Sequence, residues 1–248
     1  MSHCNLNGLN LKNSTFRNVN LRDAIYNNKT IWPKKFKPEL YGAIKSNNKK
    51  IILKDNKSNL FVTKVVNEIK NGSGFYAFKK YFSSNEVNRA KKIILKNSKS
   101  KKKLVFSSDK KNNQKSINNL IALDNIFKKM IQPKIVMNIF EKLLGKKFIC
   151  GHFYSNSLFP GARGQKPHMD YPYLGMEKIW KKFPVNSTNN LIFNCQSMIL
   201  LDDFTDKNGA TELVPGSQNF NMYPNQKTFD KKKIKLLYPK GTLIIFNG

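Results

Sequence analysis

From Phe148 to Gly248 the sequence is a succession of short apolar stretches separated by turn-forming residues. FICGHFYSN, LIFNCQSMILLDDF, TELV and GTLIIFNG are punctuated by the turns Asp206-Lys207-Asn208-Gly209 and Pro215-Gly216-Ser217. That rhythm is the signature of short antiparallel strands. Upstream the pattern is helical. Ser83-Ser84-Asn85-Glu86 has the S-x-x-E form of a capping box, and Val87, Ala90 and Ile94 follow at helical spacing, which predicts a helix of about 13 residues. Two further helices are expected, Ile117 to Met130 and Lys134 to Leu144, the second closed by Gly145. FYAFKKYF, after Gly72-Ser73-Gly74, reads as a short strand, and the lysine-rich stretch from Asn97 to Gln114 as a loop. Helices first and many short strands later indicate a mainly β fold with flanking helices, of which a jelly roll is the expected form.

A different period governs the N-terminus. Residues 4 to 33 read as fives, CNLNG, LNLKN, STFRN, VNLRD, AIYNN and KTIWP, centred on Leu6, Leu11, Phe16, Leu21, Tyr26 and Ile31. A five-residue apolar period matches neither the helix nor the strand, but it matches a square solenoid whose sides each send one side chain to the axis. Residues 4 to 44 resemble the pentapeptide-repeat family. At roughly 20 residues per coil only about one and a half coils are present, so the resemblance implies a β-solenoid remnant or cap rather than a self-sufficient domain. The expected organisation is therefore a pentapeptide-repeat remnant over 1–44, a Lys/Asn-rich linker over 45–71 that has room for a strand or a docking helix, and a larger domain over 72–248.

The formal net charge of +30 invites a polyanion partner. However, Arg17, Arg22, Arg89 and Arg163 are the only arginines among 45 basic residues, and nucleic-acid readers rely on the bidentate arginine fork. The lysines are scattered and accompany frequent Asn, so a solvated surface is the favoured reading and no specific nucleic acid is expected. Cys4, Cys150 and Cys195 are odd in number and lack C-x-x-C spacing, which supports neither a disulfide framework nor a zinc knuckle. No basic-then-apolar leader opens the chain, and no apolar run approaches the ~20 residues that span a bilayer. A cytoplasmic protein with reduced thiols and no membrane insertion is the expectation.

Within the strand-rich region lies SLFPGARGQKPHMDYPYL, with His168 and Asp170 two residues apart. In extended chain, such positions share a face, so imidazole and carboxylate can grip one metal ion. Alone the triplet is a weak signal. The order of features around it is stronger: a Pro-Gly turn and Gln165 before, then LDDFTDKNGATELVPGSQ and PKGTLIIFNG after. Together these resemble the phytanoyl-CoA dioxygenase family of iron(II)- and 2-oxoglutarate-dependent oxygenases, over about residues 74 to 248.

The resemblance implies a double-stranded β-helix of the jelly-roll, cupin-like kind. It implies Fe(II) held by two histidines and a carboxylate, with 2-oxoglutarate as co-substrate. It further implies that a small organic substrate is hydroxylated at an unactivated C–H bond by O2 while 2-oxoglutarate is decarboxylated to succinate. His168 and Asp170 match the first two ligands and are the expected catalytic, metal-binding pair. Gln165 and Tyr171, with Tyr173, flank them and are candidates to line the cofactor or substrate pocket, packing or turn roles being the alternative.

The family's second histidine follows a motif like GTLIIFNG, and an arginine for the distal carboxylate of 2-oxoglutarate comes after it; this sequence stops at Gly248. The 248 residues accordingly read as a C-terminally truncated fragment expected to hold iron and cofactor poorly. His152 reads as a packed or surface residue, Arg163 as a turn or mouth residue, and Asp202-Asp203 as a strand exit. Two rivals to the oxygenase reading are a catalytically inactive jelly-roll binding module and a basic polyanion-binding protein.

Overall fold

A computed structural model of the chain describes residues 4–16, 19, 21, 24–41, 43–45, 49–98, 105–107, 113–170, 192–220 and 222–248, with backbone alone for 49–58 and 105–107. It divides into two compact units, Met1–Phe61 and Val62–Gly248.

In the first unit, parallel rungs join positions about twenty residues apart. Asn5 pairs with Ile25 and Asn10 with Ile31 as single bridges, and β1 (Ile25–Tyr26) pairs with β2 (Ile44–Lys45). The rungs are tied by Leu6 N to Ile25 O at 2.7 Å and Ile44 N to Ala24 O at 2.8 Å. Leu6, Leu21 and Tyr26 are buried, as the period of five predicts, whereas Ile31 is 49% exposed. The inward place beside Ile31 goes to Trp32. Its ring lies 5.4 Å from that of Phe36, which stacks on Phe16 at 4.5 Å. The aromatic residues therefore displace the repeat pattern where Pro33 ends it.

α1 (Lys49–Asn71) occupies the Lys/Asn-rich stretch expected as a linker. Val62, Val65 and Ile69 are fully buried at helical spacing and belong to the core of the second unit. That unit continues with β3 (Phe75–Phe78), α2 (Ser84–Ser98), β4 (Val105–Ser107), β5 (Gln114–Ile117), α3 (Asn125–Ile131), α4 (Lys134–Leu144), β6 (Ser155–Leu158), β7 (Cys195–Ile199), β8 (Glu212–Leu213), α5 (Gln226–Lys232), β9 (Ile234–Lys235) and β10 (Leu243–Asn247). No described helix is long and apolar enough to cross a membrane.

The capping box forms as read. Ser83 N donates to Glu86 Oε2 at 2.9 Å and Glu86 N to Ser83 Oγ at 3.4 Å, and Glu86 also pairs with Lys129 of α3. These partners, Lys129 foremost, hold the Glu86 carboxyl down at about 2. The stabilisation is thus complete above the ordinary carboxylate range and is lost as pH falls through about 2. Glu86→Gln keeps the cap geometry and removes the charge paired with Lys129, and is expected to cost about 0.5 kcal/mol at neutral pH. Thermal melts between pH 2 and 6 should show a shallower acid slope for the variant; parallel slopes would refute the assignment.

The helix expected from Ile117 begins later. Asn119 lies at φ 54°, and the Asp124 side chain accepts from Ile126 N at 2.8 Å, so α3 starts at Asn125 and Ile117 remains in β5. A capping carboxylate thus overrides the apolar spacing upstream of it. α4 matches its prediction, with Gly145 N donating to Glu141 O at 3.0 Å and Gly145 at φ 87°. The loop expected over 97–114 contains β4, which pairs with β5.

β10 pairs antiparallel with β3 on one side and β7 on the other. Leu243 and Ile245 face the helices, in one core with Ile94, Phe127, Ile139 and Val65. Ile244 faces the other way, packed with Leu200 and Leu236 and flanked by Met198, Phe204, Leu213 and Phe246. All three are 0% exposed, which is why this strand reads as a continuous apolar run instead of alternating. The remaining described strands form the sheet β4-β5-β6 and the pair β8-β9. The jelly-roll expectation is met by helices and several small sheets; among the described residues the strands do not close into a barrel. β8 and β9 are two residues each and, among the described strands, pair only with one another, and Leu213 from β8 reaches the main sheet through side-chain packing.

Candidate metal centre

The loop bearing the candidate pair leaves β6 through a reversal built by Phe159-Pro160-Gly161-Ala162. Ala162 N donates to Phe159 O at 2.9 Å and Gly161 sits at φ 87°, the arrangement of a type II turn with Pro then Gly at its centre. Phe159 N is anchored on Asn113 O at 2.7 Å. From there the backbone runs to Asp170 without regular strand structure.

His168 and Asp170 face one another, with Nε2 of the imidazole 3.9 Å from Oδ1 of the carboxylate. The other ring nitrogen, Nδ1, lies 2.7 Å from the Lys166 carbonyl oxygen. A carbonyl only accepts, so Nδ1 carries a proton, which in the neutral imidazole leaves Nε2 as the lone-pair nitrogen on the side of Asp170. Asp170 Oδ2 accepts a hydrogen bond from Nε2 of Gln196. Each donor is therefore turned by one outer partner, the usual support of a metal ligand. Donor atoms of a first-row divalent ion such as zinc lie about 2.0–2.2 Å from it, so two neighbouring ligands of one ion stand roughly 3.0–3.5 Å apart. At 3.9 Å the pair is slightly wider than that and would close by about half an ångström around one ion; a neutral imidazole with a carboxylate is a fitting donor set for iron. Among the described residues no group of three or more His, Cys, Asp or Glu gathers to hold a metal.

The pair lies on the side of the main sheet that turns away from the helices. Gln196 is in register with Phe246, and its neighbours on that face of β7 and β10, Met198, Ile244 and Phe246, form the second apolar cluster.

The other candidates sit apart from this arrangement or outside it. Gln165 is exposed on the same loop, and Tyr171 and Tyr173 lie outside the described residues. His152 and Arg163 are exposed. Asp202 pairs with Lys91, while Asp203 accepts Lys240 N at 2.7 Å; the two acids are separately engaged and do not form an acid–base pair. Gln196 was not foreseen. With Ser197 it is one of two adjacent polar residues between Cys195 and Met198 on β7, a pattern that does not single it out.

No disulfide joins the cysteines. Burial pushes the Cys195 thiol up to about 12, whereas Cys4 and Cys150 lie at the surface. A thiol reagent at pH 8 is expected to modify two cysteines rapidly and the third only on unfolding; three fast equivalents would contradict the packing of Cys195 against the helices.

The family model for phytanoyl-CoA dioxygenase matches residues 72–248. The match contains the whole β10 strand, Gln196 and the His168–Asp170 pair.

Proposed function

From the premise that this chain belongs to the phytanoyl-CoA dioxygenase family, we propose that it is an oxygenase domain that uses Fe(II) and 2-oxoglutarate to hydroxylate a small organic substrate. The observation that carries the reading is the convergence of His168 Nε2 and Asp170 Oδ1 to 3.9 Å, each oriented by an outer hydrogen bond. When bound, iron with 2-oxoglutarate and O2 supplies the oxidising chemistry, releasing succinate and CO2 as one oxygen atom enters a C–H bond.

The chain's own residues do simpler things. His168, with its proton fixed on Nδ1, offers Nε2; Asp170 offers one ionised oxygen. Ile244 and Phe246 give the sheet face that carries Gln196 an apolar character beside the pair. Gln165 and Tyr171 are proposed to contact the co-substrate from the two sequence flanks of the pair. The jelly-roll core of the family is the proposed frame for 72–248, and the parallel rungs support a short pentapeptide-repeat coil over 4–44.

The test is Co(II) titration of the chain with and without 2-oxoglutarate, followed by visible absorption, together with succinate release under Fe(II) and ascorbate. Weak saturable Co(II) uptake, tightened by 2-oxoglutarate, and iron-dependent succinate are expected. Absence of both refutes the proposal.

A further inference from the structure

We propose that Gln196 is a positioning residue that holds Asp170 as a one-oxygen donor, a role that rests on the metal reading above. The pair sits on irregular backbone after a turn, with no strand ladder of its own. Gln196 sits instead on β7, locked in register against Phe246 of β10. Its amide nitrogen donates to Asp170 Oδ2 across 26 residues of sequence, so the sheet β3-β10-β7 reaches out to the irregular segment that carries the pair.

The chemistry of that contact is directional. An amide NH2 donates to Oδ2 and carries no charge of its own to repel a cation. With Oδ2 engaged, Asp170 has Oδ1 left to offer, and that oxygen is the one facing His168 Nε2. One oxygen per carboxylate suits the compact shell of a first-row ion, whereas larger Ca2+ favours carboxylates free to bind through both. Gln196 thus does two things: it aims Asp170 at the imidazole, and it biases the pair against calcium. Loss of an outer partner of this kind typically weakens metal binding about 10–100-fold.

The experiment uses the full chain labelled with 15N and titrated with Mn(II), reading paramagnetic broadening of the backbone signals of residues 166–170, with Ca2+ as competitor. In Gln196→Met, which keeps the bulk and removes the donor, about ten times more Mn(II) or beyond is expected for equal broadening, and Ca2+ should compete better than in the unsubstituted chain. Met198→Leu, on the same face of the same strand but without a bond to Asp170, should change neither; if Gln196→Met fails to fold, Gln196→Leu takes its place. Equal Mn(II) dependence in the Gln196 variant and the unsubstituted chain overturns the positioning role and leaves the metal reading intact. So does an equal loss in Met198→Leu, which would make packing the cause. No broadening near residues 166–170 in the unsubstituted chain overturns both.

Discussion

Gly241→Ala is expected to cost about 3–5 kcal/mol, a large share of the ~5–15 kcal/mol that holds a typical domain folded. Gly241 lies at φ 80°, where an L side chain is strained by roughly 1–2 kcal/mol. A Cβ there would also stand 2.4 Å from the Phe82 carbonyl oxygen, a backbone atom that cannot swing aside. Backbone movement offers no cheap escape. Gly241 O accepts from Phe82 N at 3.0 Å and Gly241 N donates to Leu200 O at 2.8 Å, so a shift that relieves the clash loosens bonds worth about 1 kcal/mol each. The residue heads β10, and its loss should weaken the pairing that presents Gln196 to Asp170. Urea unfolding measures the change directly; a cost below about 1 kcal/mol would show that the strand tolerates a different entry than the one described.

His168→Ala is expected to remove saturable Co(II) uptake by the chain, with the Asp170→Ala variant following it. The pair contributes two protein donors, and neither alone should hold a divalent ion against water. The substitution tests the site without confounding the fold. The ring's described partners are the Lys166 carbonyl and Asp170, both in the same exposed loop, so unfolding free energy should stay within about 0.5 kcal/mol of the parent. Undiminished Co(II) binding with the imidazole gone would place the metal elsewhere and refute the assignment of this pair.

Legibility of the fold followed the range of the interactions concerned. The Ser83–Glu86 capping box and the Gly145 termination were readable because each is closed by backbone groups three or four residues away. The false start of the helix at Ile117 came from apolar spacing that β5 and the α3 region share; Asp124 decided between them by capping Ile126. In the N-terminal unit the period of five predicted which of Leu6, Leu21 and Tyr26 are buried, but Ile31 turned outward because Trp32, Phe36 and Phe16 stack where it would have pointed.

The candidate site divides in the same way. His168 and Asp170 were legible as candidates because the family's motif order lies along the chain; their spacing alone is a weak signal. Gln196 was not: beside Ser197 in a strand it carries no mark of what it touches, and its bond to Asp170 depends on β7 being brought beside the loop by pairing with β10. Sequence alone determined the elements stabilised by near neighbours, the continuous apolar run of β10 and the two candidate metal donors. Tertiary structure decided which oxygen of Asp170 faces His168 and that Gln196 bonds the other. That information resides in contacts between residues far apart along the chain, whose energy is realised only after the backbone has been folded to bring them together.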